Sequence, residues 1–358
     1  MTARDLSCPD WEAKLRAGKP PVRADLPIDI EAGERAVRAF NMLRLADVPG
    51  EPRMADAGGE WFREIIRIMF GSIDPVSRER WIRELFLLVP KKNSKTTNGA
   101  LMMLVALLLN PRPAAKFVMT APVQDVAEIA FEAARGAIEL DPVLSKKMHV
   151  RQHLKSITHR ETKATLEIMT FDPDVLTGQK LSGGALIDEL HMVAKMSKAA
   201  AAIRQIRGGM LPFPEAFLAF ITTQSDGPPV GVFKAELAKA RAVRDGRHDG
   251  ATLPVLYELP DAIRNHREEW KQPEHWPLVT PNAGRSISIP RLVEDFATAV
   301  AAGEDEVRGW ASQHLNIEIG MALHSDRWAG ADHWERRGDT SLTLEAIPKS
   351  LQITLEVE

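Results

Sequence analysis

Short and long apolar runs alternate along the chain. Residues 81–89 (ending RELFLLV), 116–120 (KFVMT), 184–187 (GALI) and 216–222 are short runs bounded by polar or turn residues, the pattern of buried strands. Apolar residues at helical spacing predict helices over 31–45, 60–70, 96–109, 123–140, 198–207 and 230–244. In the fourth of these, Val126, Ile129, Ala130, Ala133 and Ala137 share one face. Asn110-Pro111 closes the third. Residues 156–158 and 165–169 predict two antiparallel strands around a charged turn.

Strands alternating with helices predict an α/β fold built on a mostly parallel sheet flanked by helices. After about residue 250 Pro, Trp and charged residues dominate. Helices are expected at 261–270, 291–301 and 304–318, forming a smaller, mainly helical C-terminal subdomain. The expected division is an N-terminal arm (1–55), a main domain (56–250), the helical subdomain (251–335) and a terminal segment (336–358).

Composition changes this picture little. At 358 residues, 44% hydrophobic and 27% charged, the chain has enough apolar matter for a substantial core. Net charge is −3, so nucleic acid would have to meet a local basic patch. Cys8 is the only cysteine, which excludes an internal disulfide framework and a cysteine-based zinc site. The polar, Pro-broken N-terminus has no apolar core of the kind a signal peptide needs, and the longest apolar run, 100–109, is too short to span a bilayer. The expectation is a soluble protein that is not exported.

Candidate chemistry begins at Val89-Pro-Lys-Lys-Asn-Ser-Lys-Thr-Thr97, between a predicted strand and a predicted helix, where a phosphate-binding loop belongs. Lys95 would reach the β- and γ-phosphates of ATP, and Thr96 would place its hydroxyl on Mg²⁺. Backbone amides from Asn93 to Thr97, with Lys92 and Ser94 in the same loop, would cradle phosphate oxygens at the positive end of the helix. Both glycines of the usual G-x-x-x-x-G-K-[ST] pattern are absent, replaced by Val89 and Ser94. Ser94 matters more, because that position brings backbone close to phosphate and can require positive φ. An exposed basic helix start accounts for the same residues.

Gly183-Gly-Ala-Leu-Ile-Asp-Glu-Leu-His191 is a short apolar strand ending in two acids. Successive side chains of an extended chain face opposite ways, so Asp188 can hold a metal while Glu189 orients and deprotonates a water. A strand exit with two solvated acids is the plain alternative. Further on, Ala219-Phe-Ile-Thr-Thr-Gln-Ser225 is an apolar strand with a polar tip that could sense a γ-phosphate; turn chemistry alone also accounts for it.

RELFLLVP with KKNSKTT, then TAPVQDVAEIAFE, LIDELH and ITTQS, in this order, resemble the large terminase subunit of tailed bacteriophages. The resemblance covers roughly residues 55–320. It implies a P-loop ATPase of the catalytic-glutamate class, in which degenerate phosphate loops are common. By this resemblance Lys95 and Thr96 match the phosphate loop, Asp188 the metal-binding acid, Glu189 the catalytic acid, and Thr222, Thr223 and Gln224 the motif that couples hydrolysis to movement. LVTPNAGRSIS and the helices after it resemble the subdomain between motor and nuclease. The implied activity is ATP-driven packaging of double-stranded DNA, by a homo-oligomeric ring on the portal protein working with a small terminase subunit, in the cytoplasm of an infected bacterium. Two departures stand out. No glutamine in Gly59-Glu-Trp-Phe-Arg-Glu-Ile-Ile66 reads adenine, and the arginine-finger role has only the candidates Lys180, Arg204 and Arg207.

Large terminases usually add an RNase-H-like nuclease, which needs several acids around two metal ions and on the order of a hundred residues. Asp326, Asp332 and Asp339 follow no apolar strand, so no DNA cleavage is expected of this chain. His149 and His153, four apart, could share a helix face, but Val150 stands where a zinc hydrolase has Glu, and surface histidines are the simpler reading. The basic run Lys146, Lys147, Arg151, Lys155, Arg160 and Lys163 reads as a solvated face that could also touch a DNA backbone. A helicase-like motor and an inactive assembly fragment are the alternatives. The first should show a second ATPase-like domain after residue 250, which is not seen; the second would not hydrolyse ATP.

Overall fold

A computed structural model describes residues 5–74 and 76–319. Its centre is one eight-stranded sheet: β1 (Glu84–Leu88), β2 (Lys116–Ala121), β3 (Met148–Arg151), β4 (Ser156–His159), β5 (Thr165–Thr170), β6 (Gly184–Asp188), β7 (Phe217–Thr222) and β8 (Thr252–Leu256), in the order β3-β4-β5-β2-β6-β7-β1-β8. From β5 to β8 all neighbours are parallel; β3, β4 and β5 pair antiparallel. The expected α/β sheet is therefore present, including the antiparallel pair around residue 160.

The main helices are α1 (Ile30–Met42), α2 (Glu60–Gly71), α3 (Lys95–Leu109), α4 (Gln124–Glu139), α5 (Ala199–Met210), α6 (Gly231–Arg244), α7 (Ile289–Ala302) and α8 (Glu304–Leu315). They cover both faces of the sheet, which is why its central strands are apolar throughout rather than alternating. Alternation survives as a division between two cores. Leu85 and Leu87 of β1, Leu186 of β6 and Ala219 and Ile221 of β7 pack with α1 to α4. Phe86, Leu88, Ala185, Ile187, Leu218 and Phe220 pack with α5 and α6.

Residues 5–55 are tied to the first core: Leu6, Trp11, Val22, Leu26, Val37, Phe40 and Leu43 are buried in it. Beyond residue 250, β8 pairs with β1 and extends the sheet to Leu256. Pro254 lies within β8, at an edge where a missing amide is tolerated. The single helix expected over 261–270 is two short ones, Asp261–Arg264 and Arg267–Trp270. The helical region packs through Trp276, Phe296 and Trp310, whose rings lie 4.7–5.5 Å apart. His149 and His153 do not share a helix: His149 is on β3 and His153 in the tight turn after it, both exposed. Segment 336–358, the last part of the expected helical subdomain, and Asp326, Asp332 and Asp339 lie outside the described residues. Among the described residues no helix is long and apolar enough to cross a membrane.

Candidate ATP site

The site lies where the parallel strands end. β1 leads into Val89–Ser94, and α3 starts at Lys95. β7 separates β1 from β6, so its tip, Thr222, falls between the loop and the acidic pair at the end of β6. Gly99 brings helix and sheet together here: a Cβ on it would lie 2.8 Å from Ile221 Cδ1 and 3.1 Å from Leu186 Cδ1. The missing side chain lets the first turn of α3 sit close above β6 and β7.

Two contacts join the loop to the acids. Lys95 Nζ lies 2.7 Å from Glu189 Oε1, and the Thr96 hydroxyl donates to Asp188 Oδ2 at 2.5 Å. Lys95 and Asp188 are buried. Burial, reinforced by the Glu189 charge, pushes the Asp188 carboxyl well above the usual carboxylate range, with Lys95 and the Thr96 hydroxyl opposing. Glu189 stands at φ +50, the left-handed region, so the chain turns sharply after Asp188. This turn aims Glu189 at Lys95 and leaves its Oε2 buried without a hydrogen bond. His191 Nδ1 is 3.4 Å from that oxygen and 3.1 Å from Thr222 Oγ1. Burial holds the His191 imidazole down at about 4, so it is neutral near pH 7.

The loop takes the shape its sequence made doubtful. Ser94 has φ +55 and Lys92 φ +68, both left-handed without glycine. Asn93 is a scaffold residue, fully buried, its side-chain Nδ2 donating to the Pro90 and Lys91 carbonyls at 3.1 and 3.3 Å. The first backbone bond of α3 runs from the Asn98 amide to the Ser94 carbonyl at 2.9 Å. The preceding amides, Lys95, Thr96 and Thr97, have no partner within the helix. Beside the loop a cleft is lined by Asp47, Val48, Gly58, Ser94, Thr97 and Asn98. Trp61 stays out of it, buried with its ring edge-on to Tyr257.

Thr222, Thr223 and Gln224, expected to couple hydrolysis to movement, are buried and only partly bonded. Thr222 Oγ1 accepts from the His191 amide at 3.2 Å and donates to the Thr223 carbonyl at 3.0 Å. The Gln224 amide donates to Asn316 Oδ1 at 3.1 Å, but Gln224 Nε2 and Thr223 Oγ1 have no partner.

Of the finger candidates, Lys180 precedes β6 and lies over the Phe213 ring, at the amino end of the strands. Arg207 is committed at that same end, bonded to Glu84 at 2.7 Å and Glu236 at 2.7 Å. Neither can serve the loop of its own chain, because the loop follows the opposite, carboxyl ends. Arg204 is exposed on α5.

A family profile described as "Terminase large subunit, ATPase domain" matches residues 60–228. Residues 60–228 are thus similar to the ATPase domain of terminase large subunits. The crystal structure of the HK97 bacteriophage large terminase has the same fold, with TM-score 0.62 and 20% identity, covering 80% of this chain and 55% of that one. The chain thus matches about half the length of the HK97 protein. Less extensive likenesses are the large terminase ATPase domain of Thermus phage P74-26 (16% identity, 39% of this chain and 59% of that one, TM-score 0.32) and the large terminase of a thermophilic bacteriophage in complex with ADP (14%, 60% and 51%, 0.38). No curated protein matches the chain.

The motifs read from the sequence thus converge in space. Missed were Asn282, Ser286, Gln313 and Asn316, all from beyond residue 250. Lys91 Nζ donates to Gln313 Oε1 at 2.8 Å, and the Asn282 amide donates to Asn93 Oδ1 at 3.0 Å. For Asn282 and Ser286 the residues themselves gave one signal, the Asn, Gly and Ser content of TPNAGRS, a composition suited to turns that bond backbone.

Proposed function

We propose that this terminase domain hydrolyses ATP and is the motor that drives double-stranded DNA into a capsid. The observation that carries the reading is the convergence of Lys95 and Thr96 with Glu189 and Asp188. In this reading residues 56–250 and β8 form the motor, and the region to about 335 a linker. The nucleoside lies in the cleft beside Thr97 and Asn98, and phosphate oxygens meet the first amides of α3.

Thr96 and Asp188 present two hard oxygens side by side, the donor type that suits Mg²⁺, which keeps its remaining positions for water and phosphate. Among the described residues no cluster of three His, Cys, Asp or Glu side chains could hold a metal ion by itself. Bound there, Mg²⁺ would neutralise charge developing on the phosphates. Lys95 moves from Glu189 to the phosphates. Glu189, freed from Lys95, takes the proton of the attacking water, with His191 behind it in the neutral state. Thr222 to Gln224 then register the change at the tip of β7 and pass it to Asn316.

DNA, the portal, a small subunit and a ring of copies belong to the same proposal. The basic run at the β3–β4 edge would meet the DNA backbone without sequence preference. Mg²⁺-dependent ATP turnover of wild type, Lys95→Ala and Glu189→Ala tests the core of it. We expect turnover in wild type and a loss of at least about a hundredfold in each variant. Equal turnover in all three would remove the site. Neutralising the basic run should weaken DNA stimulation of turnover and leave basal turnover intact; unchanged stimulation would remove the DNA face.

A further inference from the structure

Two residues of the phosphate loop occupy left-handed backbone without being glycine, Lys92 at φ +68 and Ser94 at φ +55. An L-residue there is disfavoured by a clash between Cβ and carbonyl oxygen. Such a conformation persists only where its surroundings over-determine it. The surroundings are supplied by a distant turn. Asn282 Nδ2 donates to Ser94 Oγ at 3.4 Å and to Ser286 Oγ at 2.6 Å. The Ser286 hydroxyl donates to the Lys92 carbonyl at 2.6 Å, and the Asn282 amide to Asn93 Oδ1 at 3.0 Å. Lys92, Asn93 and Ser94 are each held, two of them by bonds to the side chains of 282 and 286.

The turn is itself anchored. Asn282 is buried and its Oδ1 accepts from Trp61 Nε1 at 3.3 Å. Gly284, at φ +77, closes the turn with its amide donating to the Ile287 carbonyl at 2.8 Å. Every polar atom of the Asn282 side chain is engaged, toward α2 on one side and the loop on the other.

We infer that residues 282–286 are a positioning strap that stands in for the glycine missing at position 94, holding the loop from outside in the shape that glycine would adopt freely. This rests on reading the loop as an ATP site and adds what controls it. Nucleotide affinity depends on a segment nearly two hundred residues downstream in sequence, so displacement of the helical region detunes the loop without touching Lys95 or Glu189. The compensation is specific: strap and glycine are alternatives.

The test is a double-mutant cycle with Mg-ADP as the probe, together with hydrogen exchange of the amides of residues 92–95. Asn282→Ala should weaken Mg-ADP binding about tenfold, the scale of one left-handed residue losing its support. Ser286→Ala, at an exposed position and gentler on folding, should weaken it about threefold. In the Ser94→Gly background the Asn282→Ala loss should shrink to less than about twofold. Both strap variants should speed exchange at 92–95 with the sheet amides unchanged. Undiminished binding in the strap variants, or an equal loss with and without Ser94→Gly, overturns the strap. If wild type fails to bind Mg-ADP, the ATP reading falls, and the exchange rates still decide whether the strap holds the loop.

Discussion

Two of the clusters that bury charge among the described residues do it in opposite ways. Glu258, just past β8, is fully buried and surrounded: Arg241 Nη2 lies 2.6 Å away, Arg244 Nη1 2.9 Å and Arg264 Nη1 3.7 Å. Burial alone would raise its carboxyl, but Arg241, then Arg244 and Arg264, hold it below the usual range. At the other cluster Asp188 is equally buried, beside a second carboxylate, and is pushed up. Around it Glu189 Oε2, Thr223 Oγ1 and Gln224 Nε2 are buried without partners. Unmet hydrogen-bonding capacity costs stability. Part of it lies at the strand tips that meet a nucleotide in the proposed reaction, while other unpaired atoms, Gln179 Oε1, Glu215 Oε2 and Tyr257 Oη among them, lie elsewhere; none belongs to the side chains of Arg241, Arg244, Glu258 or Arg264.

The sharpest way to break this comparison is to remove one carboxylate from each cluster. Glu189→Gln should lower ATP turnover at least about a hundredfold with little change in unfolding midpoint. Glu258→Gln should do the reverse, costing about 3–5 kcal/mol in denaturant unfolding because three arginines lose the buried carboxylate they share, with turnover per folded molecule retained. If the two variants behave alike, the clusters do not differ in kind.

A smaller effect concerns pH, and its sign differs between the clusters. Asp188 has a folded value above its unfolded one, so its contribution favours the fold at low pH and is lost as pH rises through the folded value. Asp188→Asn should therefore stabilise the protein near pH 7, by about 1 kcal/mol with a chelator present, and the gain should vanish toward pH 4. Glu258 has a folded value below its unfolded one. Its contribution is present above about pH 4.5 and is lost as pH falls through the folded value. Urea midpoints of the two variants against pH should diverge at neutrality and converge in acid; parallel curves would contradict the assignment. Smallest is Thr223→Val, which removes a buried hydroxyl without a partner and should raise stability by up to about 1 kcal/mol. A loss of that size would mean that the hydroxyl is satisfied in solution.

Much of the site was legible because its parts are local. Strand, loop and helix around Lys95, the two acids ending β6 and the polar tip of β7 each lie within one short stretch, where apolar period and turn chemistry report directly. What escaped was short, at an edge, or distant. β8 carries Pro254, which argues against a strand unless the strand is known to lie at an edge. Arg207 reads like any basic residue on a helix; only its paired bonds to Glu84 and Glu236 show it committed at the far end of the sheet.

By itself the sequence determined the class of fold, the order of the strands along the chain and the residue types that chemistry would need, since hydrophobic period and local conformational preference act over a few neighbours. The tertiary structure decided which of those residues meet. Strand order put Thr222 between loop and acids, Gly99 let α3 settle close enough for Lys95 to reach Glu189, and Asn282 came from the far end of the chain to hold Ser94 in a left-handed turn. Such contacts depend on packing between elements far apart in sequence, and a local pattern carries no record of its distant partner.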